Sequence, residues 1–377
     1  MIKTILFDVD GVMLSEERYF DASALTVWEL LFSPGYVGLQ GDTFTPAPEE
    51  ALIRRVREQV FAHDEVLDFI KSRGINSNWD MVFLAFSYQL IRLIEALKPH
   101  VPEAASLLTV PLERQEFARL RDWATVYAPD FQVDYAAFLP DFARSSAQKA
   151  DLLLYLNELA RERCGVETDM FSPNCALWQL VQETFQEWYL GDERVAASIG
   201  RETMQPGKKG FLTDEIPIVP TKDMVELFRT LTERGYTLGI GTGRPSIETH
   251  VPLREMGLLE WFDPERVVTA THVLEAEANC PNYVPLSKPH PFSYVKGLLG
   301  LSTPDCDVLQ YPLPIANGAE VLVVGDSLAD FLAARSIGCR FAATLTGLSG
   351  QEARSKFEEV QADYILDDVR GLLDILK

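Results

Sequence analysis

Residues Ile2 to Phe7 form a run rich in branched and aromatic side chains that stops abruptly at Asp8, Asp10 and Gly11. The run is too short for a helix and too apolar for a surface strand, so it reads as a buried strand of a parallel sheet. After Leu14 the strand rhythm ceases until roughly Ile216. Residues 15–214 instead place apolar side chains at i, i+3, i+4 and i+7, which predicts helices over Glu49 to Ala62, Trp79 to Leu97, Leu112 to Ala124, Gln148 to Glu162 and Ala176 to Tyr189. Breaks bearing Pro or Gly at Ser33 to Gly41, Thr43 to Pro48, Pro99 to Pro102, Pro129 and Pro140 separate them. The segment Gln205 to Thr221, with Pro206, Gly207, Gly210, Pro217 and Pro220, reads as a linker. Its Lys208 and Lys209 fit a solvated loop better than an anion contact.

From Lys222 onward helices alternate with short apolar strands. The pattern predicts helices over Asp223 to Arg234, Ser246 to Met256, Phe292 to Leu299 and Ala329 to Ile337. Strands are expected at Tyr236 to Ile240, Val267 to Thr269, Val321 to Val324 and, as the last main strand, Phe341 to Thr344. Such alternation calls for a parallel sheet with helices on both faces, an α/β class. The stretch Leu301 to Ala319 is longer than a helix-to-strand connection needs and reads as a flap.

A net charge of −22 works against contacts with a phosphate backbone, so nucleic acid is not an expected partner. Cys164, Cys175, Cys280, Cys306 and Cys339 show neither metal-ligand spacing nor a disulfide framework, which suggests a reducing cytoplasm. The N-terminal run is broken by Lys3 and Asp8, leaving no signal-peptide core, and no stretch is long and apolar enough to span a membrane.

The candidate chemistry lies at strand ends, where ligands bind in open α/β sheets. Asp8 and Asp10 close the first strand and can share a cation or divide nucleophile and acid/base roles; a plain Asp-Gly turn with solvated acids is the bland alternative. Gly241-Thr242-Gly243-Arg244-Pro245 follows a second strand, where glycines admit an anion to the backbone and Thr242 can donate to it. Arg244 stands where a dinucleotide loop would need its next glycine, so that motif is absent. Ser287-Lys288-Pro289-His290-Pro291 supplies a fixed point charge in Lys288, with His290 read as a surface residue. Gly325-Asp326-Ser327-Leu328-Ala329-Asp330 sets two carboxylates one helical turn apart, oxygen ligands of the kind magnesium prefers.

In order and type, Asp8-x-Asp10-Gly-Val, Thr242, Lys288-Pro and Gly-Asp326-x-x-x-Asp330 resemble the four motifs of the haloacid dehalogenase superfamily. The resemblance covers residues 1–14 and about 216–377. It implies a Rossmann-like three-layer α/β/α catalytic core at 1–14 and 216–377. It further implies an inserted all-α cap at 15–215, as in the phosphoglycolate-phosphatase-like branch but larger. The implied activity is that of a magnesium-dependent phosphatase acting on a small phosphorylated metabolite through an aspartyl-phosphate. Asp8 would be the nucleophile and Asp10 the acid/base. Thr242, Gly243, Gly11 and Lys288 would bind the phosphoryl group, with Lys288 offsetting charge. Asp8, Asp10 through its carbonyl, Asp326 and Asp330 would hold Mg2+, Asp330 as ligand or as orienter. Presence of Asp10 favours phosphoryl transfer over dehalogenation. A phosphomutase, or a non-catalytic regulatory protein using the insert, is the alternative. Substrate identity and oligomeric state are not written in these motifs.

Overall fold

The structure, a computed structural model, describes residues 2–75 and 77–376. Met1 and Lys377, the outer bounds of the expected core, lie outside the described residues. The chain divides into two compact units. One takes in the residues up to Glu16 and from Leu212 onward, the other Glu17–Phe211.

The first unit is built on a six-stranded sheet of β1 (Thr4–Phe7), β2 (Thr237–Gly241), β3 (Val267–Val268), β4 (Val321–Gly325), β5 (Arg340–Thr344) and β6 (Tyr364–Leu366). The spatial order is β3-β2-β1-β4-β5-β6 and every pairing is parallel. Ile5, Leu6 and Phe7 are fully buried because β1 is central and covered on both faces. Phe7 packs edge-on against Phe228 and Phe262 on one side, while Leu6 joins Tyr294, Val295 and Phe331 on the other. This is the Rossmann-like α/β layering expected. β6 was not anticipated, so Phe341 to Thr344 is not the last strand; Tyr364 and Ile365 are half-buried at the sheet edge and carry a weak apolar signal.

Within this unit the chain leaves and re-enters through a hydrogen-bonded clip. Ser15 N donates to Ile216 O at 2.8 Å and Ile218 N to Met13 O at 2.9 Å, with Leu14 bridged to Pro217. The stretch expected to be a flap instead contains a helix, Asp305–Leu309, anchored by Lys296 to Asp305 at 2.8 Å and by Ile315 N to Ile337 O at 2.9 Å. Cys280 and Cys306, expected as thiols, are joined by a disulfide with Cα atoms 6.4 Å apart. Cys280 caps the helix Ala270–Asn279 and Cys306 lies in Asp305–Leu309; packing of these two helices, not sequence spacing, brings them together. The pairing removes the thiol-based ground for placing the protein in a reducing compartment.

The second unit is helical. Asn78–Leu97 is its longest helix and packs against Glu17–Phe32, Ala150–Cys164 and Ala176–Leu190. Ser77 caps the Asn78 helix, its hydroxyl accepting from Asp80 N at 3.3 Å. Glu17–Phe32 was not foreseen. It is buried nearly all round, including Asp21, Ser23, Thr26 and Glu29, so it has no polar face to create a 3.6 period. Pro140, read as a break, sits in the short helix Phe138–Phe142, where the first turn needs no backbone donor. Lys208 is not solvated. Its ammonium is fully buried between Glu29 Oε2 at 2.9 Å and Glu187 Oε2 at 2.6 Å and lies over the Trp188 ring. No helix among the described residues is long and apolar enough to cross a membrane.

Candidate active site

Asp8 immediately follows β1, and its N–H continues the ladder by donating to Val324 O at 2.8 Å. Gly11 then turns the chain with φ +66°, a conformation that suits glycine, and a Cβ there would run into the Asp326 carboxylate. Asp326 and Asp330 follow β4, the neighbour of β1, and Lys288 comes from the loop ahead of the helix Phe292–Leu299.

These residues converge. Lys288 Nζ lies 3.0 Å from Asp8 Oδ1 and 2.7 Å from Asp330 Oδ1. One oxygen from each of Asp8, Asp326 and Asp330 lies within 4.8 Å of the other two. Asp8 Oδ1 also accepts Val9 N–H at 2.7 Å, while Oδ2 has no partner among the described residues. Asp330 is well supplied: Oδ1 takes the Tyr294 hydroxyl at 2.6 Å as well as Lys288, and Oδ2 takes the Ser327 hydroxyl at 2.6 Å. Asp326 is the opposite case. No donor or cation among the described residues meets its carboxylate.

The electrostatics follow from this crowding. Burial pushes the Asp8 carboxyl up to about 7 against the pull of Lys288, with Asp330 and Asp10 adding to the rise. Burial, then Asp330 and Asp8, raise Asp326 well above the usual carboxylate range. Asp330 is driven up by burial, but the Lys288 charge and its three hydrogen-bonding partners hold it below 3.8. Lys288 is raised because Asp330 and Asp8 outweigh its own burial. A divalent cation fits this donor set: Asp326 is an uncompensated carboxylate, and one of its oxygens lies within 4.8 Å of an oxygen of Asp8 and one of Asp330. Asp330 orients Lys288 through Oδ1, and one of its oxygens also lies within 4.8 Å of oxygens of Asp8 and Asp326.

Thr242 and Gly243 enter from the end of β2, alongside β1. Thr242 Oγ1 accepts Arg244 N–H at 3.1 Å, and among the described residues neither Thr242 nor Gly243 hydrogen-bonds to Asp8, Asp10, Asp326, Asp330 or Lys288. Gly243 has open space where a side chain would stand.

A model of the haloacid dehalogenase-like hydrolases matches residues 135–338, more than half of the chain. The chain belongs to the haloacid dehalogenase-like hydrolases. Among solved structures, an X-ray structure determined by a structural-genomics consortium is 37% identical, covers 100% of this hydrolase and 98% of its own chain, and superposes with a TM-score of 0.91. Two curated relatives are phosphoglycolate phosphatases, the branch the motifs resemble. The one from Pasteurella multocida (strain Pm70) is 29% identical over 39% of this chain and 53% of its own. That from Haemophilus influenzae (strain 86-028NP) is 28% identical over 40% and 54% respectively. The hydrolase spans about half the length of these curated relatives.

Other residues at the hydrolase site escaped sequence reasoning. Asp10 Oδ1 accepts from Arg244 Nε at 2.8 Å and Nη2 at 2.6 Å, and Arg244 Nη1 donates to Glu215 Oε1 at 2.6 Å. Tyr294 sits on the apolar face of a helix, where its hydroxyl was invisible among hydrophobic neighbours. The Thr344 and Thr346 hydroxyls donate to Gly11 O at 3.2 and 2.6 Å, and Gly347 lies so close to Asp326 that a Cβ would overlap it. The available signal was positional: this cluster follows β5, one more strand end beside the first motif.

Proposed function

We propose that the protein is a magnesium-dependent phosphatase that hydrolyses a small phosphorylated metabolite through an aspartyl-phosphate on Asp8. Residues 1–14 and 216–377 form the catalytic core in this reading, and 15–215 the cap-type insert. One observation carries it: Asp8 is tethered to Lys288 through Oδ1, its Oδ2 has no partner among the described residues, and it brings an oxygen within 4.8 Å of the uncompensated Asp326.

Asp8 and Asp326, with the Asp10 carbonyl, would hold the magnesium ion, which supplies the positive charge a carboxylate needs to approach an anionic phosphoryl group. Asp8 Oδ2 attacks phosphorus and the bond from phosphorus to the alcohol oxygen breaks. Asp10 gives its proton to that oxygen, releasing the alcohol and leaving a carboxylate. Asp10 then takes a proton from water as the water oxygen attacks phosphorus. The bond from phosphorus to Asp8 breaks, phosphate leaves, and both aspartates return to their starting states. The balance is ester plus water to alcohol plus phosphate. Lys288, fixed by Asp330, offsets the charge on Asp8 and the incoming phosphoryl group, and the Thr242 hydroxyl donates to a phosphoryl oxygen.

The relatives make phosphoglycolate the first ester to try. With magnesium present, Asp8→Asn lowers turnover of phosphoglycolate and of p-nitrophenyl phosphate by at least about 10² to 10⁴ while circular dichroism stays unchanged. Near-normal turnover by Asp8→Asn would refute the mechanism.

A further inference from the structure

Arg244 is among the most enclosed cations of the molecule. Its side chain is 1% exposed, and its guanidinium is divided between two acids: Nε and Nη2 both donate to Asp10 Oδ1, and Nη1 donates to Glu215, whose side chain is itself fully buried. The backbone is pinned as well. Its N–H donates to Thr242 Oγ1, and its carbonyl accepts from Ala270 N at 2.8 Å. Because both donors converge on Oδ1, that oxygen of Asp10 is occupied. Oδ2 has no partner among the described residues and is the oxygen available for a proton. The guanidinium already serves two carboxylates through a planar fork, a geometry that a lysine point charge does not reproduce.

We infer that Arg244, held in turn by Glu215, is a positioning residue for Asp10: it fixes the carboxylate so that Oδ2 alone is presented to the leaving oxygen and then to water. The inference rests on the phosphatase reading above and adds to it a residue pair with a defined task. Arg244 acts through Asp10 and does not bind the phosphoryl group.

The test compares Arg244→Gln, Arg244→Lys and Glu215→Gln with the unaltered enzyme, each alone and combined with Asp10→Asn, in magnesium. The two esters differ in demand. p-Nitrophenolate departs without a proton, whereas the alkoxide of phosphoglycolate requires one. Arg244→Gln is expected to release a rapid burst of nitrophenolate near the unaltered rate. It should then turn over about 10²-fold more slowly, and its single-turnover cleavage of phosphoglycolate should fall by a similar factor. Arg244→Lys and Glu215→Gln fall between. Added to Asp10→Asn, none of the three causes further loss, because the group they position is gone.

Three results overturn the inference: equal slowing of burst and steady state, a loss additive with Asp10→Asn, or a raised KM at unchanged kcat, which would put Arg244 on the phosphoryl group. Should circular dichroism show that Arg244→Gln is unfolded, Arg244→Lys and Glu215→Gln decide by the same readouts. If the unaltered enzyme cleaves no member of a broad panel of phosphate esters with magnesium, the phosphatase reading falls and takes this one with it; if it cleaves p-nitrophenyl phosphate and any alkyl ester of that panel, which then stands in for phosphoglycolate, failure of the pattern rejects the role of Arg244 alone.

Discussion

Glu29 makes the second unit sensitive to pH in a direction that can be worked out. Its carboxylate is fully buried, and burial raises it from 4.5 to about 7, against the attraction of Lys208. The folded state therefore holds this proton more tightly than the unfolded chain does. Stability from that difference is complete below about 4.5 and is lost as the pH rises through about 7. A shift of this size corresponds to about 3 kcal/mol. Glu29→Gln keeps the shape and an oxygen for Lys208 but cannot ionise. It should match the unaltered protein near pH 5 and exceed it by up to about 3 kcal/mol at pH 8. Trp28, Trp79, Trp123, Trp178 and Trp188 lie in this unit and only Trp261 lies outside it, so tryptophan fluorescence in urea follows its unfolding. Lys208→Met provides the contrast: Glu29 and Glu187 lose their shared cation, costing about 3 to 5 kcal/mol. An unchanged pH slope in Glu29→Gln, or lower stability at pH 8, would refute the reasoning.

Gly347→Ala places a methyl group against the Asp326 carboxylate, and the magnesium concentration for half-maximal activity should rise by about 10- to 100-fold with the fold intact. Tyr294→Phe removes the hydroxyl that holds Asp330; thermal denaturation should show a loss of about 1 to 3 kcal/mol, and kcat should fall as Lys288 loses its brace. Chelation should abolish ester hydrolysis and magnesium restore it, while magnesium raises the melting temperature of the unaltered protein but not of Asp326→Asn.

The strands and their terminal acids were legible because a doubly covered parallel sheet writes itself as short apolar runs, and charge at the end of such a run has few structural uses. Asp8, Lys288, Asp326 and Asp330 do meet at the strand ends. The supporting residues were hidden for separate reasons. Arg244 stands beside Pro245 in a glycine-rich turn, the composition of a solvated loop, and its burial depends on two acids distant in sequence. Lys208 sits next to Gly207 and Lys209, and only the packing of Glu29 and Glu187 takes it out of water. β6 is too exposed and Glu17–Phe32 too evenly buried to show a period. The Cys280–Cys306 link depends on two helices packing, which spacing does not encode.

The clip at Ser15 and Ile216 has a kinetic consequence. β1 is the middle of the sheet, yet its partners Ile240 on β2 and Val324 on β4 follow only after the whole insert has emerged. During synthesis the insert can collapse while Ile5, Leu6 and Phe7 still lack neighbours, so the sheet waits on a loop closure that spans the whole insert. Holding the two ends of the insert side by side shortens that search once both are present, because the chain between β1 and β2 then counts as a closed loop.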